Sequence, residues 1–323
     1  MKKADVIVIG GGPCGLSAAI EIQKIGLHPI VIEKGNIVNA IYQYPTHQTF
    51  FSTSEKLSIG DVPFITEERK PKRNQALVYY REVVKRTGIE VRAFEEVLSV
   101  EKNGTFQVRT SKELYTADYV VAATGYYDQP NDLDVAGAKL RKVMHYFKEG
   151  HPYFNQDVLV IGGKNSAVDA ALELHKAGSR VTVSYQGTSY SKSIKPWILP
   201  EFDGLVRNGE IDMLFDSTVD KISEDEVELT VNDQKVIIKN HFVFAMIGYH
   251  PDHSFLQSMG ISIDSKSGRP DFDPLTMETG IEGLYIAGVI AAGNNANEIF
   301  IENGRFHGQE IAKAIAAKIG RIL

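Results

Sequence analysis

Cysteine is nearly missing: Cys14 is the only one in 323 residues. No intrachain disulfide can form, and no zinc site built on several cysteines fits within one chain. Any thiol–disulfide chemistry must therefore use one thiol, a partner's thiol, or none. Long basic runs are missing too. The 35 Lys and Arg against 41 Asp and Glu leave a formal charge of −6, which argues against electrostatically driven nucleic-acid binding. No uninterrupted apolar stretch approaches the ~20 residues that cross a bilayer. The opening MKKADVIVIGGGPCG sets two lysines before an apolar run, but glycines interrupt that run after Ile9, too early for a signal-peptide core. The expected compartment is the cytoplasm, with no nucleic-acid or membrane partner. The 43% hydrophobic and 24% charged residues describe an ordinary globular protein, and the length predicts about two domains at ~150 residues each.

Residues 5–9 (DVIVI) form a β-branched run without polar alternation, as in a parallel strand buried on both faces. Glycines follow, then a helical stretch from Cys14 to Ile25 closed by Gly26, then an apolar run ending at Glu33, which completes a βαβ unit. The pattern returns at 157–184, with strand DVLVI, turn GGKNSA, a helix from Ser166 to Lys176 and strand RVTVS. Between the two lie a polar, aromatic-rich loop (36–75), a helix near 74–87 and β runs at 89–100, 105–110 and 119–123. VELTV and KVIIK read as hairpin strands; a strand from Leu284 to Ala287 and an amphipathic helix from about Asn297 to Ile319 follow. The fold class is α/β, with two Rossmann-like dinucleotide-binding domains, the second inserted into the first. The expected boundaries are 1–118 with 248–323 for the first and 119–247 for the second.

In the first unit, Gly10-x-Gly12-x-x-Gly15 follows a strand, opens a helix and is answered by Glu33. Gly10 permits the tight turn, Gly12 lets backbone approach a pyrophosphate, and Gly15 allows close helix–strand packing. The helix start supplies N–H groups and partial positive charge for phosphate. Glu33 can accept hydrogen bonds from both hydroxyls of an adenosine ribose, which requires a free 2′-hydroxyl and so predicts FAD or NAD. In the second unit, Gly162-Gly163-Lys164-Asn165-Ser166-Ala167 carries lysine for the middle glycine and alanine for the last. The next strand ends in Ser184-Tyr185, with no carboxylate. Hydroxyls there, with Lys192 and Lys195 of SYSKSIKPW as nearby cations, suit a 2′-phosphate and predict NADPH.

Two such loops, one answered by an acid and one not, resemble the two-dinucleotide-binding-domain flavoproteins. VVAATGYYDQP (120–130) resembles the segment where the chain leaves the FAD domain, and GLYIAGV (283–289) the C-terminal FAD strand. Related thioredoxin reductases carry Asp where this chain has Val289. GGGPCG, YQYPTHQTFFST, GGKNSA and YSKSIKPWILPEF together resemble the YpdA family, FAD-containing, NADPH-dependent bacillithiol disulfide reductases. The resemblance implies hydride transfer from NADPH to FAD and on to a low-molecular-weight disulfide. It also places the family's characteristic cysteine at Cys14.

The expected FAD contacts are Gly10, Gly12, Pro13, Gly15, Glu33, Lys34, Gln43, Val97, Thr124, Gly125, Gly288, Val289, Ile299 and Phe300. The expected NADPH contacts are Gly162, Gly163, Lys164, Asn165, Ser166, Ala167, Ser184, Tyr185 and Lys192. No metal is expected; the partner is a small-molecule disulfide, and the chain is expected to be a homo-oligomer. Cys14 is the candidate catalytic residue: its helix start favours thiolate and so a lowered pKa, although the FAD pyrophosphate would oppose that. His250 and His307 read as ordinary polar histidines. The alternatives are a ferredoxin- or flavodoxin-NADP reductase, whose acidic carrier would want a basic docking face, and, behind it, a flavin monooxygenase.

Overall fold

The computed structural model describes residues 2–295 and 297–321. The chain begins β1 (Lys2–Ile9), α1 (Pro13–Lys24), β2 (Pro29–Glu33), α2 (Asn39–Gln43), α3 (Ser54–Leu57), α4 (Arg73–Thr87), β3 (Glu90–Ala93), β4 (Val97–Asn103), β5 (Thr105–Thr110) and β6 (Leu114–Ala122). It continues β7 (Val143–Met144), β8 (Asp157–Ile161), α5 (Asn165–Lys176), β9 (Arg180–Ser184), α6 (Leu199–Arg207), β10 (Ile211–Leu214), β11 (Ser217–Ile222), β12 (Glu226–Val231), β13 (Gln234–Lys239) and β14 (Phe242–Ala245). It ends with α7 (His253–Ser258), β15 (Leu284–Ile286), α8 (Ile301–Gly304) and α9 (His307–Lys318).

Two compact units result. The first comprises Met1–Tyr42, Gln48–Gln129 and Tyr249–Leu323, the second Gln43–His47 and Pro130–Gly248. In the first, the strand order is β3-β2-β1-β6-β5-β4, with β15 also on β6. β1 lies between β2 and β6, parallel to both, which is why Val6, Ile7 and Val8 are buried without polar alternation. The first half of β6 pairs antiparallel with β5, and its last three residues pair parallel with β15. α9 packs on α1 so closely that a Cβ on Gly308 would lie 2.7 Å from the Ala18 α-carbon.

The second unit holds a parallel sheet in the order β10-β9-β8-β14-β7 and an antiparallel sheet β11-β12-β13. Val158, Val160 and Phe244 pack one face of the parallel sheet against Ala167, Ala171 and Leu174 of α5. Leu159 and Val243, on the opposite face by strand alternation, join Val227 and Leu229 of β12.

Two expectations need correction. A boundary after residue 118 would cut β6, a strand of the first sheet; the chain leaves the first unit at Gln129, and Gln43–His47 group with the second. The last helix is not continuous. Phe306 N–H reaches back only to the Asn303 carbonyl, at 3.1 Å, a tighter turn that separates α8 from α9.

Candidate dinucleotide-binding sites

In the first unit the turn after β1 is built on Gly10, at φ +110°. Its N–H donates to the Ile32 carbonyl at 2.8 Å, and a Cβ there would lie 2.4 Å from the Ala123 carbonyl oxygen. Gly15 seats α1 on this turn, since a Cβ on it would lie 2.0 Å from the Gly10 carbonyl oxygen. Gly12 has a different reason to be glycine. It is the N-cap of α1 at φ −74°, open to any residue, and a Cβ on it would meet nothing within 4 Å. Pro13 opens the helix without any side-chain cap, leaving its first N–H groups available to an anion.

Glu33 ends β2 in a buried position. Its Oε2 accepts the Gly11 N–H and its Oε1 the Gly35 N–H, both at 2.7 Å. Burial raises its pKa, and the two donated N–H groups work against the rise. Lys34 pairs with Asp128 and ties the end of β2 to the turn after β6. The Glu95 N–H donates to the Glu33 carbonyl at 3.0 Å, which sets Val97 at the start of β4 two residues from that bond. Thr124 and Gly125 follow β6 beside Gly10. Thr124 Oγ1 is buried with no hydrogen-bond partner among the described residues, and a Cβ on Gly125 would meet nothing within 4 Å. An orphaned hydroxyl, two open glycines, an uncapped helix start and an acid at the strand end fit a dinucleotide with free ribose hydroxyls, as FAD has.

Cys14 is wedged beside this loop. A Cβ on Gly288 would lie 3.2 Å from Cys14 Sγ, and one on Gly304 would lie 3.0 Å from it. The residue keeps some exposed surface, yet burial pushes the thiol up to about 12. The lowered pKa expected from the helix start is overturned. Removing the charged sulfur from water outweighs the helix's partial charge.

Gly288 donates its N–H to His307 Nδ1 at 3.1 Å. That bond fixes a neutral imidazole protonated on Nε2, and burial lowers the pKa of His307. Val289 follows, half-buried, with no polar side-chain atom to replace an aspartate. The expected N–H donor of Phe300 is already committed to Asn303 Oδ1 at 2.7 Å; the next two, of Ile301 and Glu302, have no partner within α8. Ile299 packs with its Cγ2 at the Gly304 position. Gln43 ends α2 and begins the short segment that groups with the second unit.

The second unit repeats the first with different chemistry. Ile9 pairs with Ile32 in one and Ile161 with Ser184 in the other; Gly162 donates to the Ser184 carbonyl at 2.9 Å as Gly10 does to Ile32. Ser184 is thus the counterpart of Ile32 and Tyr185 that of Glu33. Ser184 is 1% exposed and its hydroxyl bonds Ser217 at 2.8 Å, so the expected phosphate contact through its side chain is corrected: it faces the core. Tyr185 lies against the turn, where a Cβ on Gly163 would fall 2.3 Å from its ring. Gly162, at φ +134°, would place a Cβ 2.5 Å from the Met246 carbonyl oxygen, repeating the Gly10 constraint. Lys164 is the N-cap of α5 at φ −106°, the counterpart of Gly12, and needs no glycine conformation. Lys164, Ser166 and Lys192 are exposed, and Ala167 is buried on the core side of α5. Asn165 is bonded to the segment after Tyr190. The partners of His307 and Ser217, 19 and 33 residues away, carry no signal in the sequence.

Residues 7–288 match the model of a family described as pyridine nucleotide-disulphide oxidoreductase. The chain belongs to that family. It is 65% identical to the bacilliredoxin reductase Bdr of Bacillus subtilis, over 98% of this chain and 99% of that one. Among solved structures it resembles the bacillithiol disulfide reductase Bdr (YpdA) of Bacillus cereus, at 65% identity and TM-score 0.97 over 98% and 100% of the two chains. The Staphylococcus aureus protein of the same name follows, at 60% identity and TM-score 0.96 over 98% and 99%. The likeness to the YpdA family read from the motifs therefore extends over the whole chain. This member of the family is an oxidoreductase that works with FAD and NADPH. No helix among the described residues is long and apolar enough to cross a membrane.

Proposed function

We propose that this chain reduces a low-molecular-weight disulfide with NADPH, bacillithiol disulfide being the first choice. One disulfide, one NADPH and one proton give two thiols and NADP+. The observation that carries the proposal is a full-length 65% identity to a reductase of the bacillithiol system, on a chain whose two dinucleotide loops differ where the ribose is read. FAD is assigned to the first unit and NADPH to the second. Bound FAD supplies a two-electron relay between the nicotinamide and the disulfide. The residues hold what is bound. The N–H groups opening α1 take the FAD pyrophosphate, Glu33 accepts from the adenosine ribose, and Thr124 Oγ1 gains the partner it lacks. Tyr185 takes the place of the acid in the second unit, and the exposed Lys164 and Lys192 are the cations available to the phosphates of NADPH.

Cys14 is the only thiol the chain can offer to exchange with substrate; burial keeps it protonated at rest, so it must give up that proton before its sulfur can attack a disulfide. A lone reduced cysteine suits a reducing cytoplasm, and the chain is proposed to act there as a homo-oligomer. The test is anaerobic NADPH oxidation by the FAD-loaded protein against bacillithiol disulfide, glutathione disulfide, coenzyme A disulfide, a bacilliredoxin mixed disulfide and ferredoxin. Turnover with bacillithiol disulfide, lost in Cys14→Ala that still binds FAD, supports the full proposal. Full turnover in Cys14→Ala reduces that residue to packing, and turnover with ferredoxin alone overturns the disulfide reading.

A further inference from the structure

The side chain of Asn165 is used at both ends. Its Nδ2 donates to the Ser193 carbonyl and its Oδ1 accepts the Lys195 N–H, each at 2.9 Å. A carboxamide committed in this way to backbone groups 28 and 30 residues along the chain is not free to grip a phosphate. The segment it fastens is a built turn. The Ser191 and Ser193 hydroxyls are 2.8 Å apart, the Ile194 N–H donates to the Ser191 carbonyl at 3.1 Å, and the Ile194 side chain is buried in the core of the second unit. Lys192 is the residue this turn leaves outside, exposed and without an ion-pair partner among the described residues.

We propose that Asn165 is a positioning residue for NADPH selectivity. It fastens the 191–195 turn to the start of α5 and so holds the Lys192 ammonium for the nucleotide's 2′-phosphate. The inference rests on the assignment of NADPH to the second unit. A lysine on a fastened turn loses less freedom on meeting its anion than one on a loose loop, so the clamp raises affinity without touching the ligand. Removing Asn165 leaves the charge of Lys192 in place and removes only the positioning.

The experiment titrates the FAD-loaded protein calorimetrically with adenosine 2′,5′-bisphosphate and, separately, with ADP, which lacks the 2′-phosphate. The wild type is compared with Asn165→Ala, Lys192→Ala and the double variant. Each single variant is expected to weaken the bisphosphate about tenfold, with the double variant no weaker than Lys192→Ala, since residues acting through one contact are not additive. ADP affinity should change less than twofold. Asn165→Ser, too short to span both partners, should give the same shift and keeps the test alive if the alanine variant misfolds. Additive losses, or an equal loss for ADP, would overturn the positioning role and leave the NADPH assignment standing. Wild-type affinity in Lys192→Ala would overturn the role of Lys192 and the proposal with it.

Discussion

Asp169 shows what burial does to a single carboxylate when the one nearby cation, Lys176, only partly offsets it. It sits on α5, half-buried, and burial raises its carboxyl from 3.8 to about 6, with Glu173 pushing the same way. Between those values the folded chain binds more protons than the unfolded one. The group therefore works against folding increasingly as pH rises through that window, and fully above it. Asp169→Asn should raise stability at pH 7.5 by ~1–2 kcal/mol, allowing for partial exposure, with the gain falling by about half at pH 5. Chemical denaturation at the two pH values measures this. Cys14 makes a second residue-scale prediction. With its thiol near 12, alkylation by iodoacetamide at pH 8 should run on the order of a thousandfold slower in the folded protein than in the unfolded one. Comparable rates would mean that burial does not hold the proton.

At the scale of elements, two glycines of the first loop, Gly15 and Gly12, separate cleanly. Gly15→Ala forces a Cβ to 2.0 Å from the Gly10 carbonyl oxygen, so α1 must shift, at ~1–3 kcal/mol or more. Gly12→Ala meets only open space and should melt like the wild type when free of FAD, yet bind FAD at least tenfold more weakly. Thermal melts and FAD titration of both variants check the pair. Both βαβ units were legible in the sequence because buried parallel strands show no alternation and the glycines mark the turns. The end of β9 was not. Whether Ser184 or Tyr185 faces outward depends on the pairing of Ile161 with Ser184, and a strand's parity is invisible until its register is known. The same holds for Gly288 and His307, for Asn165 and its two partners, and for the Phe300 N–H spent on Asn303. Each is a contact across a loop that no local pattern announces. The raised pKa of Cys14 was illegible for a different reason. Its helix start is visible in the sequence, whereas the packing of Gly288 and Gly304 around its sulfur appears only in three dimensions.

For the whole molecule, the same βαβ unit is used twice with opposite terminal chemistry. A buried carboxylate, Glu33, ends β2 in one copy, and Tyr185 takes that place after β9 in the other; the proposed assignment of FAD and NADPH rests on this difference. The segments Met1–Tyr42, Gln48–Gln129 and Tyr249–Leu323 form the first unit and contribute both Cys14 and its neighbours Gly288 and Gly304, so the lone thiol belongs wholly to the unit assigned to FAD. Net charge of −6 gives no general attraction for an acidic protein carrier, which favours a small disulfide as electron acceptor. The central claim is tested most directly by counting products without oxygen. The FAD-loaded protein is mixed with limiting NADPH and excess bacillithiol disulfide, and NADPH oxidised is compared with thiol released. Two thiols per NADPH, with NADH at least tenfold less effective at equal concentration, is the predicted result. NADPH oxidation without thiol release, or equal use of NADH and NADPH, would contradict it.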